Sequence, residues 1–174
     1  GDRIAWHDYG EYAVYTVSVL VLFSIMVLLS SFFAVAVYAD MDFNPALEMG
    51  VNRWGMVVNI KGYNEDAEKL LSDIPWRGKP ARQVAGLVLA EAFQEGYFNG
   101  ENKEIVLAAV PVKRQGARME KELLDELRSE CQSFAARQHL DLRVVSYHAT
   151  PEMRREAQKH GLPLVDVIRE GYER

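Results

Sequence analysis

Cysteine is nearly missing from this 174-residue chain, where Cys131 stands alone, so neither an internal disulfide nor a cysteine-based metal site can be built. Charge is missing altogether between Tyr12 and Ala39. Within that gap Ala13 to Phe33 (AVYTVSVLVLFSIMVLLSSFF) supplies the roughly 20 apolar residues needed to cross about 30 Å of hydrocarbon, interrupted only by small hydroxyl residues and one Tyr. Soluble core helices rarely stay uncharged for so many turns. A cleaved secretory signal is not expected, since the basic n-region is absent and the apolar run is too long. Basic excess is also missing. Of the 20 Lys and Arg only Arg3 precedes the gap, the signs beyond it are mixed, and the net charge is −5, which argues against a nucleic-acid partner.

The remaining lone groups are read conservatively. Cys131 lies on one helical stripe with Met119, Leu123, Leu127 and Phe134, the setting of a core thiol. His7, His139, His148 and His160 are scattered, with no paired carboxylate at ligand spacing, and read as surface histidines; no metal or other cofactor is expected. Glu120, Glu122, Asp125 and Glu126, with Lys121 and Arg128, read as a solvated helix face, and Asn99-Gly100 as a turn. Gly1 and the polar start (Asp2, Arg3, His7, Asp8, Glu11) read as the trimmed end of a longer chain. The division expected is a juxtamembrane segment at 1–12, a transmembrane helix at 13–33 and one globular domain at 34–174. The acidic N-terminal flank does not orient the span by its basic residues.

After the apolar run the period changes from helical to two. Val35, Val37, Ala39, Met41 and Phe43 fall on one face, and Ala36, Tyr38, Asp40, Asp42 and Asn44 on the other, which predicts a half-buried strand that continues the membrane helix without a linker. Strands follow at Ala46–Val51, Met56–Ile60, Glu104–Val112 (with Pro111 at its end or on an edge) and Leu142–Tyr147. Asn52 to Gly55 forms a turn. Helices are signalled by Asn64 before Glu65-Asp66-Ala67-Glu68, by the apolar spacing of Ala81–Glu95 and Ala117–Gln138, by Thr150-Pro151 with Gly161 as the stop, and at Leu164–Arg169. The order predicts an α+β fold: a single transmembrane helix, then a mixed sheet covered by helices.

Between the first two strands stands Asn44-Pro45. An Asn side chain can attack its own main-chain carbonyl, close a succinimide and expel the next nitrogen. The usual competitor, attack of the following backbone N–H on the side-chain amide, is closed because proline has no N–H. Proline also makes the link a tertiary amide and restricts Asn44 to extended or turn conformations. No Ser, Thr or Cys follows the bond, so the ester route of hydroxyl and thiol self-cleaving proteins is excluded. Asp42, two residues earlier on the same strand face, is a candidate proton shuttle. By spacing alone, Asn-Pro is far more often the mark of an ordinary turn.

Asp42-Phe43-Asn44-Pro45-Ala46-Leu47-Glu48, Val51-Asn52-Arg53-Trp54-Gly55-Met56-Val57-Val58, Asn64-Glu65-Asp66 and Lys159-His160-Gly161-Leu162-Pro163 together resemble the extracytoplasmic domain of RsgI-type anti-sigma factors of Gram-positive bacteria. The resemblance implies that Asn44 is the cleavage residue and Pro45 the new N-terminus of a self-cleaving domain outside the cell, anchored in the cell membrane by one span. It further implies a SigI-class sigma factor held by a cytoplasmic domain that this sequence does not contain. Signal relay would run through site-1 and intramembrane proteases, and Ser24, Ser30 and Ser31 are candidates to ease unwinding of the span. The rivals are a non-cleaving membrane-anchored binding domain and a membrane-tethered enzyme acting on cell-wall material, which requires carboxylates converging in a pocket.

Overall fold

A computed structural model describes residues 6–99, 104–113 and 116–172, and the chain divides into two compact units after Ala34. The first unit is helix α1 (Trp6–Phe33). Its segment Tyr12–Phe33 is long and apolar enough to cross a membrane, consistent with single-pass anchoring. The hydroxyls of Thr16, Ser18 and Ser24 each donate to the carbonyl four residues back, at 2.8, 2.8 and 2.7 Å, so these polar groups are satisfied within the helix itself.

The second unit contains β1 (Val35–Asp42), β2 (Ala46–Asn52), β3 (Val57–Gly62), α2 (Glu65–Ser72), α3 (Ala81–Gln94), β4 (Glu104–Pro111), α4 (Ala117–Arg137), β5 (Arg143–His148), α5 (Pro151–His160) and α6 (Leu164–Tyr172). The fold is the α+β arrangement that the element order predicts. The caps foreseen are formed: Asn64 Oδ1 accepts from Ala67 N–H at 2.9 Å, Thr150 Oγ1 accepts from Met153 N–H at 3.2 Å, and Gly161 closes α5 at φ 69°, a left-handed position that favours glycine. Met56 does not begin β3 but bridges to Pro80. Gly100 of the expected Asn99-Gly100 turn lies outside the described residues, as do residues 1–5 and the side chain of His7.

The five strands are ordered β3-β2-β1-β4-β5. β1 is antiparallel to β2 on one side and to β4 on the other, and β4 is parallel to β5. Pro111 ends β4 beyond the reach of β5, whose pairing stops at Ala109↔His148, so its missing donor breaks no ladder. On one face of the sheet Val37, Ala39, Met41, Met49 and Leu107 pack against α2, α3 and α4 in the main core. On the other, Val106, Ala108 and Val110 of β4 meet Leu164, Val165 and Ile168 of α6.

That second layer corrects the expectation for β1. Its second face is not open to solvent, because α5 and α6 lie over it: Asp40 is 1% exposed, and Ala36, Tyr38 and Asp42 are partly buried. The reason lies in β4, whose run Ile105 to Val110 is apolar on both faces and so requires a helix layer on each.

A second correction concerns α4. Glu122, Lys121 and Asp125 do form exposed ion pairs along the helix. Glu120, however, is buried, because it shares the stripe of Leu123, Leu124 and Leu127, and it meets His148 Nδ1 at 2.9 Å. His148 therefore has a carboxylate partner that spacing along the chain could not reveal, and the exposed His160 meets Glu156 at 2.9 Å. Arg128 also leaves the solvated face and donates to Ser146 Oγ on β5.

Cys131 is fully buried among the core residues, as its stripe predicts. Burial, helped by the charge of Glu130, pushes its thiol up to about 12. Only the thiolate is nucleophilic, so Cys131 should be inert to a thiol-reactive dye in the folded chain and react stoichiometrically after denaturation. Labelling of the native protein at the rate of a free thiol would contradict this packing.

Candidate functional site

The last residue pair of the β1–β2 hairpin is Asp42↔Ala46, which leaves Phe43, Asn44 and Pro45 as a three-residue loop. Phe43 N–H donates to Pro45 C=O across the loop at 3.0 Å. Phe43 is buried and stacks on Phe98, with ring centroids 5.4 Å apart, and Pro45 is buried as well. The loop is thus anchored on both shoulders, and Asn44 stands exposed at its tip.

Asn44 adopts φ 47°, and its peptide bond to Pro45 is trans. Of the two conformations expected for it, extended or turn, the structure has the turn. Asn tolerates the left-handed region better than most residues but still at a cost. That cost, about 1 to 3 kcal/mol where the surroundings enforce it, is borne here by the anchored shoulders. Asp42 completes the loop: its Oδ1 accepts from Asn44 N–H at 3.1 Å, while Oδ2 lies 3.4 Å from Arg169 Nη1 of α6. The structure therefore brings the three sequence-derived residues, Asn44, Pro45 and Asp42, into one tight turn.

Behind the loop lies a set of charged residues that sequence reasoning missed. Asp40 faces Glu48 directly across the β1–β2 pair. Glu48 is held by both arms of Arg154, at 2.9 and 3.0 Å, and that guanidinium lies over the ring of Tyr38. Asp40 Oδ2 accepts from Leu164 N–H at 2.8 Å. Arg154 neutralises Glu48, and Asp40 is left without a cation of its own.

Burial foremost, then the neighbouring charge of Glu48, raises the Asp40 carboxyl to about 8, against the smaller opposing effects of the Leu164 N–H and Arg154. Burial and the charge of Asp42 also raise Asp166. Asp40 is therefore held as a neutral acid at pH 7. The alternation of Asp40 and Asp42 is plain in the sequence, but residues 124 and 127 positions away form the lid over them.

These features define a class: a domain entered directly from an apolar helix, with an Asn-Pro loop joining its first two strands and a helix pair closing over that hairpin. The pattern described as the anti-sigma factor RsgI-like central domain matches residues 36–169. The chain belongs to this family of RsgI-like anti-sigma factors. It is similar to anti-sigma-I factor RsgI4 of Acetivibrio thermocellus, 30% identical over 128 residues that cover 71% of this chain and 24% of the relative. It is also similar to anti-sigma-I factor RsgI of Bacillus subtilis, 23% identical over an alignment covering 97% of this chain and 45% of that protein. RsgI of Bacillus anthracis is 24% identical, over 72% of this chain and 27% of its own length. The chain thus spans less than half the length of these relatives.

A carboxyl whose folded value is raised from 3.8 to about 8 keeps its proton in the native state while the unfolded chain releases it. Its stabilising contribution is therefore full below about pH 4 and is lost as pH climbs towards 8. Asp40→Asn, which keeps the acceptor for Leu164 N–H, should flatten this part of the stability profile and leave the variant at least as stable as wild type at pH 8. Thermal melts between pH 5 and 9 check it; a variant with the wild-type slope would mean that Asp40 is ionised throughout.

Proposed function

We propose that this chain is the membrane-anchored signalling part of an anti-sigma factor, in which the domain at 34–174 lies outside the cell and cuts its own backbone at Asn44-Pro45. The observation that carries the reading is the loop itself. A strained, exposed Asn at φ 47° precedes a buried Pro between two anchored strands, with Asp42 on its N–H. Family membership supports a sigma factor as the partner, and the names of the relatives point to a SigI-class sigma factor bound through a cytoplasmic region outside this sequence.

The chemistry is a cyclisation. Asn44 Nδ2 attacks the Asn44 carbonyl carbon, the bond from that carbon to the Pro45 nitrogen breaks, and the proton lost by Nδ2 goes to the departing proline amine. Asn44 is left as a succinimide that water reopens. Release of loop strain supplies about one to two powers of ten in rate; the rest must come from holding the nitrogen in line, worth several kcal/mol for a well-oriented intramolecular attack. Asp42, the candidate proton shuttle, has both oxygens engaged, which also suits it to fixing the turn.

After cleavage β1 remains paired with β2 and β4, so the halves stay together. A pull or a ligand outside would strip β1 away, expose a stub on the membrane helix to site-1 and intramembrane proteases, and free the sigma factor. The two rivals differ in prediction. A non-cleaving binding domain leaves the chain whole, and a cell-wall enzyme needs accessible acids, whereas Asp40 and Glu48 are buried under α5 and α6.

Purified wild-type chain in detergent should run as one species under native conditions and as two on a denaturing gel, with intact masses that break between Asn44 and Pro45. Asn44→Ala should give a single band. A folded wild-type chain that remains in one piece after prolonged incubation would overturn the self-cleavage reading.

A further inference from the structure

Alternate residues of β1 reach up to the same late element. Asp40 Oδ2 accepts the Leu164 N–H at the start of α6 in a buried bond of 2.8 Å. Two residues on, Asp42 Oδ2 meets Arg169 Nη1, one turn further along α6, at 3.4 Å. The remaining oxygen of Asp42 holds the Asn44 N–H. One continuous chain of contacts therefore runs from α6 through Asp42 to the residue at the loop tip. Leu164, Val165 and Ile168 fix α6 in place by burying against β4, so the helix that carries Arg169 has a defined position. The Asp42 side chain is 14% exposed although it lies two residues from the exposed Asn44, which is the result of that cover.

We propose that α6 is the clamp that sets the Asn44-Pro45 loop for cleavage, with Arg169 as a positioning residue acting through Asp42, so that the bond is cut only after the C-terminal helix has docked. This rests on the self-cleavage reading above and adds its control.

The order of the chain gives the control its sense. The β1–β2 hairpin is local, spanning Val35 to Asn52, and can form early. A cut at that stage would leave β1 bound on one edge only, free to drift off with whatever precedes it. β4 closes the other edge of β1 and comes before α6 in the chain. By the time α6 has packed on β4, β1 is already bracketed. A reaction that waits for Arg169 thus waits until the cut halves can no longer part.

The ion pair is weak as a source of stability, since Arg169 is 50% exposed and such pairs contribute little; its removal should alter the rate and not the fold. The test uses full-length chain, unfolded in denaturant and refolded into detergent, with cleavage followed on denaturing gels. Arg169→Ala should cut roughly tenfold more slowly than wild type while its melting temperature stays within a few degrees, and Arg169→Lys, which keeps a cation near Asp42, should recover part of the rate. Cleavage of Arg169→Ala at the wild-type rate, or a loss that Arg169→Lys does not lessen, overturns the clamp. A wild-type chain that never cuts overturns the self-cleavage reading and the clamp with it, whereas a wild-type chain that cuts beside an unaffected Arg169→Ala overturns the clamp alone.

Discussion

The structure depends on β1 being an inner strand. Antiparallel ladders on both sides satisfy its backbone donors and acceptors, and helices cover both of its faces. An eight-residue segment is thereby fixed in register, because a slip by one position would turn Val37, Ala39 and Met41 out of the main core and drive Asp40 into it. The position of Asn44 follows from that register. It is the tip of a loop whose length is set by the Asp42↔Ala46 pair and whose shoulders are set by Phe43 and Pro45.

The charged layer above β1 shows how such a strand can carry acids. Two carboxylates facing each other in a water-poor space cannot both be ionised at low cost. Arg154 pairs with Glu48 in a two-pronged contact, and Asp40 instead keeps a proton and takes a backbone hydrogen bond from Leu164. Burial of this kind is weak as a source of stability. What it provides is placement: the amide at the start of α6 has one partner, and that partner is on β1.

Local features of this fold were legible in the sequence, and distant ones were not. Asn44, Pro45 and Asp42 could be named because the chemistry of an Asn-Pro bond and the two-residue period of a strand are contained within a few positions. Asn64, Thr150 and Gly161 announced their helices for the same reason. The cover over the second face of β1 was not legible, because a polar face reads as solvated until α5 and α6, more than a hundred residues on, are known to lie over it. The burial of Glu120 was hidden in the same way: a charge among charges on α4 points inwards because its stripe is the apolar one. Arg154 and Arg169 carried no signal at all, since nothing in the spacing of α5 and α6 says which strand they will meet.

The central place of β1 also determines what its loss would leave behind. Taking away an edge strand leaves a smaller sheet with one new border. Taking β1 from a chain severed as proposed would leave two borders facing across an empty slot, with the apolar layer shaped around Val37, Ala39 and Met41 on one side and the Arg154–Glu48 pair on the other. Such a slot would collapse, and a departed strand would have to thread back between two neighbours that had closed on one another. The domain would then behave as a fuse: quiet under small disturbances, and spent after one.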